Sequence, residues 1–86
     1  MNISEWWVYV LRCSDGSLYC GISNNVEKRL RAHNAGKGSR YVRSRSPASL
    51  AFSWPAGTKS QALKAEYAFK QLSKKQKESI VGARKK

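Results

Sequence analysis

From Trp6 to Leu11 the chain reads Trp-Trp-Val-Tyr-Val-Leu, an unbroken run of apolar and aromatic residues. Such residues favour a strand, and a strand with no polar face belongs inside a sheet, covered on both sides. The rest of the chain must then supply neighbouring strands and a layer above and below. At 86 residues it amounts to one small domain, 1–86, able to bury roughly 60% of its unfolded surface. Order is expected over about residues 5–81, with 82–86 as a fraying basic tail.

The second strand follows at once. Ser14-Asp15-Gly16 is a turn signal, and Ser17 to Ile22 reads as a strand. Two registers compete. A two-residue loop pairs Cys13 with Leu18 and throws Tyr9 and Tyr19 onto opposite faces. A three-residue loop, with Gly16 left-handed, pairs Cys13 with Ser17 and Leu11 with Tyr19. Both tyrosines then share a face while Cys13 and Cys20 point apart. Glycine directly after Asp15 favours the second register.

Ser23-Asn24-Asn25 caps a helix, and Glu27 in its first turn suits the helix dipole. That helix carries Val26, Leu30 and His33 on one stripe and ends near Asn34-Ala35-Gly36. Residues 37–48 are polar, basic and aperiodic, so a loop is expected there. Leu50 to Trp54 forms a third strand, stopped by Pro55-Ala56-Gly57. Thr58 or Ser60 caps a helix to about Leu72, and Ser73 caps a short basic helix from Lys74 to about Val81. The expected order is β-β-α-β-α-α: an α+β domain with a small three-stranded sheet and helices around it.

Charge narrows the class of partner. Lys and Arg number 17 against 5 acidic residues, a net charge of +12 spread along the chain. This excess opposes compaction, and a polyanion would relieve it, so nucleic acid is the expected partner. No basic region followed by an apolar run opens the chain, and no apolar stretch approaches ~20 residues, so a cytoplasmic protein without membrane association is expected. Cys13 and Cys20 lack CxxC spacing, and a single histidine cannot complete a zinc site with them. Two free, buried thiols are expected.

Three sets of residues stand out for chemistry. Tyr9 and Tyr19 converge on one face in the three-residue-loop register; otherwise they are ordinary core aromatics with hydroxyls at the rim. Arg29 and His33 are four apart and stack on one helix face, either as a site or as part of the solvated run Lys28-Arg29-Leu30-Arg31. Glu66 lies on or beside the stripe marked by Ala62, Leu63, Phe69 and Leu72, where a carboxylate needs a cation or strong hydrogen bonds. The bland reading of Glu66 is a salt bridge at the helix edge. Together the five residues suggest a metal-assisted phosphodiester site.

The chain resembles the GIY-YIG nuclease superfamily, in particular its small single-domain bacterial group (the YhbQ/YazA type), and it is similar to the catalytic domains of Slx-type nucleases and of the UvrC N-terminal part. The resemblance rests on Trp7-Val8-Tyr9-Val10-Leu11-Arg12-Cys13 with Asp15-Gly16, on Leu18-Tyr19-Cys20-Gly21-Ile22, on the run Glu27 to Gly38, and on Ala62-Leu63-Lys64-Ala65-Glu66. It implies a three-stranded antiparallel sheet flanked by helices. It implies catalytic roles for Tyr9, Tyr19, Arg29 and His33, and a metal ligand at Glu66. Gly-Ile-Tyr stands here as Trp-Val-Tyr, and Tyr-Ile-Gly as Tyr-Cys-Gly.

The expected activity is single-metal hydrolysis of phosphodiester bonds in DNA, with Mg²⁺ (or Mn²⁺) on Glu66, because the chain has too few convergent carboxylates for a metal pair. Arg29 would stabilise phosphoryl charge, Tyr9 would orient or deprotonate water, and His33 is the second candidate base. The basic segment with Lys37, Arg40, Arg43 and Arg45 would meet nucleic acid first, with Tyr41 offered to a base. A role on branched or damaged DNA in repair or recombination, with a protein partner directing substrate, extends this reading. Its rivals are a nucleic-acid-binding module with negligible activity and a non-nuclease scaffold.

Overall fold

The computed structural model describes residues 5–83. The apolar run is β1 (Trp6–Arg12), and it is central in a sheet of order β2-β1-β3, antiparallel throughout. Strand β2 (Leu18–Ser23) pairs with β1 so that Leu11 faces Tyr19. The connecting loop is the three-residue one: Cys13 N–H donates to Ser17 O (2.9 Å), Gly16 N–H to Cys13 O (2.9 Å), and Gly16 has φ +86°. The Asp15 carboxylate accepts from Ser17 N–H (3.0 Å) and from its hydroxyl (2.6 Å), which tightens the turn.

Strand β3 (Ser49–Gly57) lies on the other edge and runs past the expected stop. Pro55 stands opposite Trp7 beside a bulge in the β1–β3 pairing. An edge strand tolerates proline because the missing N–H costs no ladder bond on its outer side. Helix α1 (Val26–Asn34) is capped by the Asn25 side chain, which accepts from Lys28 N–H. Between α1 and β3 the structure forms a one-turn helix, α2 (Arg40–Arg43), capped by Ser39. This corrects the expected loop. Val42, fully buried, anchors the turn against the sheet, a long-range contact to which local periodicity is blind.

Helix α3 (Lys59–Lys70) begins with a reciprocal capping box between Thr58 and Gln61. In α4 (Lys74–Ala83) the Ser73 hydroxyl accepts from Gln76 N–H (3.1 Å) and the Gln76 side chain accepts from Ser73 N–H (2.9 Å). Of the expected tail, α4 includes residues 82 and 83; residues 84–86 lie outside the described residues.

The alternation of β1 divides the core. Val8 and Val10 face α3 and α4, packing with Cys20, Ala62, Phe69 and Val81. Tyr9, Leu11 and Cys13 face the other way, toward α1 and α2, with Val42, Ala48, Tyr19, Val26 and Leu30. Each fully buried aliphatic side chain contributes on the order of 1.5–3 kcal/mol. Both cysteines are free, buried and on opposite faces. Burial raises both thiols, that of Cys20 to about 12, with Glu66 adding to the rise, so neither is a thiolate near neutrality.

Candidate active site

Helix α1 ends in a Schellman turn, with Gly36 at φ +81°, Gly36 N–H donating to His33 O (3.1 Å) and Lys37 N–H to Ala32 O (2.9 Å). The turn sends the chain back across His33. A side chain on Gly38 would collide with the imidazole, and Ser39 N–H donates to His33 Nδ1 (3.3 Å). His33 is thereby fully enclosed.

That bond assigns the tautomer. With Nδ1 accepting, neutral His33 carries its proton on Nε2 and donates it to the Tyr9 oxygen 3.0 Å away. Burial is the main cause holding the His33 pKa below its ordinary value, and the Arg29 charge adds to it, so the ring stays neutral. Arg29, exposed on α1, lies near enough to the same Tyr9 hydroxyl for its charge to bear on it. One donor, His33 Nε2–H, and one nearby positive charge, Arg29, therefore act on the phenol oxygen. Burial dominates and raises the Tyr9 pKa, with the nearby Arg29 guanidinium working against it. Tyr9 is a neutral phenol at neutral pH, so the cations already present do not activate it.

Tyr19 completes the cluster. Its ring centroid lies 6.5 Å from that of Tyr9 and 5.4 Å, edge-on, from that of His33. Gly21 makes the geometry possible: a Cβ there would stand 2.6 Å from the Tyr9 hydroxyl. The close approach of Tyr9 and His33 to backbone thus depends on Gly21 and Gly38, which lie within the sequence motifs named above but receive no role there. Glycines inside a strand or a basic loop signal close approach only once the partner is known.

Glu66 reaches this region by a different route. It sits on α3, the other side of the sheet from Tyr9, and comes close enough to Cys20 to raise its thiol. The Tyr19 phenol likewise bears on Lys70. Lys70, paired with Glu66, thus stands between that carboxylate and the Tyr19 phenol at the outer edge of β2. The side chain of Glu66 is 18% exposed and pairs with Lys70 Nζ at 3.1 Å. Leu63, expected on the buried stripe, is 47% exposed; Ala62 and Phe69 alone are fully inward on α3.

The other acidic residues are committed to structure. Glu5 accepts from Gly57 N–H (3.2 Å), Asp15 holds Arg45 (2.9 Å), and Glu78 takes both terminal nitrogens of Arg12 (2.6 and 2.8 Å). Glu27 sits in the first turn of α1. Among the described residues no group of three or more His, Cys, Asp or Glu converges on one point. A lone carboxylate with an exposed lysine as partner fits a water-rich Mg²⁺ and does not fit a metal pair.

The basic segment divides. Lys37, Arg40 and Arg43 are exposed. Arg45 is spoken for: its Nε donates to Asp15, its Nη1 to Tyr41 O (3.1 Å), and its guanidinium lies 3.9 Å over the Tyr41 ring. The Tyr41 ring also stacks with Tyr19 at 6.0 Å. It is a packed member of the cluster, 37% exposed, with Arg45 already on its face.

Comparison with known proteins follows this geometry. The GIY-YIG catalytic domain family matches residues 5–79. A UPF0213 protein of Bacillus licheniformis is 49% identical over 94% of this chain and 84% of its own length. The UPF0213 protein YhbQ of Escherichia coli is 46% identical over 92% of this chain and 79% of its own. Solution NMR structures of a UPF0213 protein from Bacillus halodurans (TM-score 0.60, 39% identity, 93% and 85% of the two chains) and of a protein from E. faecalis (TM-score 0.61, 41%, 92% and 84%) share the fold. No helix among the described residues is long and apolar enough to cross a membrane. The α+β sheet, the shared fold and the match across nearly its whole length agree: the chain belongs to the GIY-YIG catalytic-domain family, among the UPF0213 proteins.

Proposed function

We propose that this protein is a divalent-metal-dependent endonuclease that hydrolyses phosphodiester bonds in DNA, acting on branched or damaged structures in repair or recombination. The observation that carries the reading is the enclosed Tyr9–His33 pair, with His33 Nε2–H aimed at the Tyr9 oxygen and the Arg29 charge close by. Such a phenol, once further positive charge arrives, would release its proton to solvent water and leave a phenolate stabilised by His33 Nε2–H. It then accepts a proton from the attacking water, so Tyr9 is the base and His33 its donor partner. Because Ser39 occupies Nδ1, His33 offers Tyr9 a hydrogen and no lone pair.

Glu66 would hold the metal, which when bound supplies charge neutralisation at the scissile phosphate and leaving oxygen. Arg29, exposed beside Tyr9, stabilises charge on the phosphoryl oxygens. Tyr19 lines the approach and hydrogen-bonds the phosphate or water through its hydroxyl. Lys37, Arg40 and Arg43 attract the backbone without reading sequence.

The test is nicking of supercoiled plasmid and cleavage of flaps, junctions, single strands and duplexes with Mg²⁺, Mn²⁺ or EDTA. Wild type should cut in either metal and stop in EDTA, and Tyr9→Phe should lose about two or more orders of magnitude in rate. Cleavage that survives EDTA or Tyr9→Phe refutes the mechanism. Tyr9 and His33 are 1% and 0% exposed, which favours one rival: a module that binds nucleic acid with negligible cleavage. Salt-sensitive binding with no cutting in either metal would select it.

A further inference from the structure

Two adjoining cavities of about 220 and 270 Å³ run along the outer edge of β2 and share Leu18, Tyr41 and Lys77. Strand β2 pairs only with β1, so its outer backbone groups face this groove without a partner strand. Tyr41 forms one wall; Phe69 and Lys70 from the end of α3, with Lys74 and Lys77 from α4, form the other. No carboxylate lines either cavity. Lys77 lies 6.0 Å over the Phe69 ring, and Lys74 only shares Glu78 at 3.6 Å, since that carboxylate is gripped more closely by Arg12. Tyr19 belongs both to the groove and to the Tyr9–His33 cluster, so the channel leads into the candidate site.

We propose that this groove is the track of a single nucleic-acid strand, its phosphates held by Lys70, Lys74 and Lys77, and its bases facing the aromatic edges of Tyr19, Tyr41 and Phe69. The assignment rests on the endonuclease reading and deepens it. It moves the main nucleic-acid contacts from the arginine segment to α3 and α4. Ammonium groups beside aromatic edges suit a sequence-tolerant strand, and although Lys70 pairs with Glu66 at 3.1 Å and Lys74 with Glu78 at 3.6 Å, neither carboxylate lines the groove. A free sheet edge also suits an extended peptide, and the experiment separates the two.

The full-length chain is titrated, without divalent ions, against a fluorescein-labelled single-stranded 15-mer and a flapped duplex at several salt concentrations. Lys74→Gln/Lys77→Gln is compared with Lys28→Gln/Lys64→Gln, an equal charge loss at exposed positions outside the groove. The groove variant should flatten the slope of log affinity against log salt by about 1.4 for the single strand and weaken binding at moderate salt about tenfold, at ~0.7 per cation. The control pair should change affinity less than about threefold. Amide shifts on adding the 15-mer should concentrate on residues 18–23. Equal losses in both variants, or unshifted β2 amides, overturn the track. So does a poly-glutamate decapeptide that loses binding to the groove variant while the oligonucleotide keeps it. Wild-type cleavage is scored separately: binding in the groove without cutting refutes the nuclease reading and leaves the track standing.

Discussion

Gly21→Ala probes how tightly the site is built. The new Cβ would stand 2.6 Å from the Tyr9 hydroxyl and 2.7 Å from its ring carbon, well inside van der Waals contact. Tyr9 cannot yield cheaply, because it is 1% exposed and tied to His33 at 3.0 Å, itself covered by Gly38 and Ser39. Overpacking of this kind costs about 1–3 kcal/mol, and losing the Tyr9–His33 hydrogen bond adds about 1 kcal/mol. For a domain of this size a total of about 2–4 kcal/mol lowers Tm by roughly 10–25 °C. Cleavage should be lost below the new Tm while salt-sensitive DNA binding persists, since no cation is touched. Thermal melts and plasmid nicking on wild type, Gly21→Ala, Tyr9→Phe and the double variant complete a cycle. In the Tyr9→Phe background the alanine should cost about 1 kcal/mol less, because the nearest atom is gone. A Gly21→Ala protein that melts within about 3 °C of wild type and still cuts, or a cycle with no coupling, refutes the reasoning.

Further outcomes follow from the same geometry. Glu66→Gln should abolish Mg²⁺-dependent cleavage and Mn²⁺ binding by calorimetry yet stay within about 0.5 kcal/mol of wild-type stability, because it breaks only an i,i+4 pair whose lysine is half exposed; a large Tm loss with intact cleavage would make Glu66 structural. Lys70→Ala should raise Mn²⁺ affinity roughly twofold by removing that competing cation, and unchanged or weaker binding counts against Glu66 as the ligand. Arg40→Ala/Arg43→Ala should flatten the salt slope on duplex DNA by up to about 2, whereas adding Arg45→Ala should change the slope little and lower Tm, as Arg45 is matched by Asp15; the reverse pattern would free Arg45 for the interface. The folded-state pKa of His33 lies below its unfolded value near 6.5, so its contribution to stability is complete above that value and lost as pH falls through the folded pKa. Glu78, lowered to about 2 by Arg12, adds a second loss further down, from about 4.5 toward 2. Melts from pH 8 to 3 should show both, with Glu78→Gln shrinking the lower one, to which Asp15, held down by Ser17 and Arg45, also contributes, and leaving the upper one unchanged.

How much of this was legible in the chain depends on the range of the interaction. The β1–β2 register follows from three loop residues, because Gly16 alone accepts φ +86° without strain and period-two alternation then fixes every facing, including the shared face of Tyr9 and Tyr19. The helix starts are read locally as Ser23-Asn24-Asn25, Thr58 or Ser60, and Ser73, and the structure selects Asn25 and Thr58 among the first two sets by contacts to residues three further on. Local chemistry of this kind travels with the sequence. Tertiary structure decided the rest. Val42 turns a polar segment into α2 by entering the core, and edge pairing with β1 carries β3 through Pro55. Asp15 takes Arg45 out of the basic segment across thirty residues. Position 66 lies on α3 beside Ala62 and Phe69, yet only the packing of α3 against the sheet sets which flank of that stripe is sealed, leaving Leu63 in solvent and Glu66 at the rim of β2. Each is a choice among partners far apart in the chain, made by burying one arrangement of surfaces at the expense of the others, and no local pattern encodes that choice.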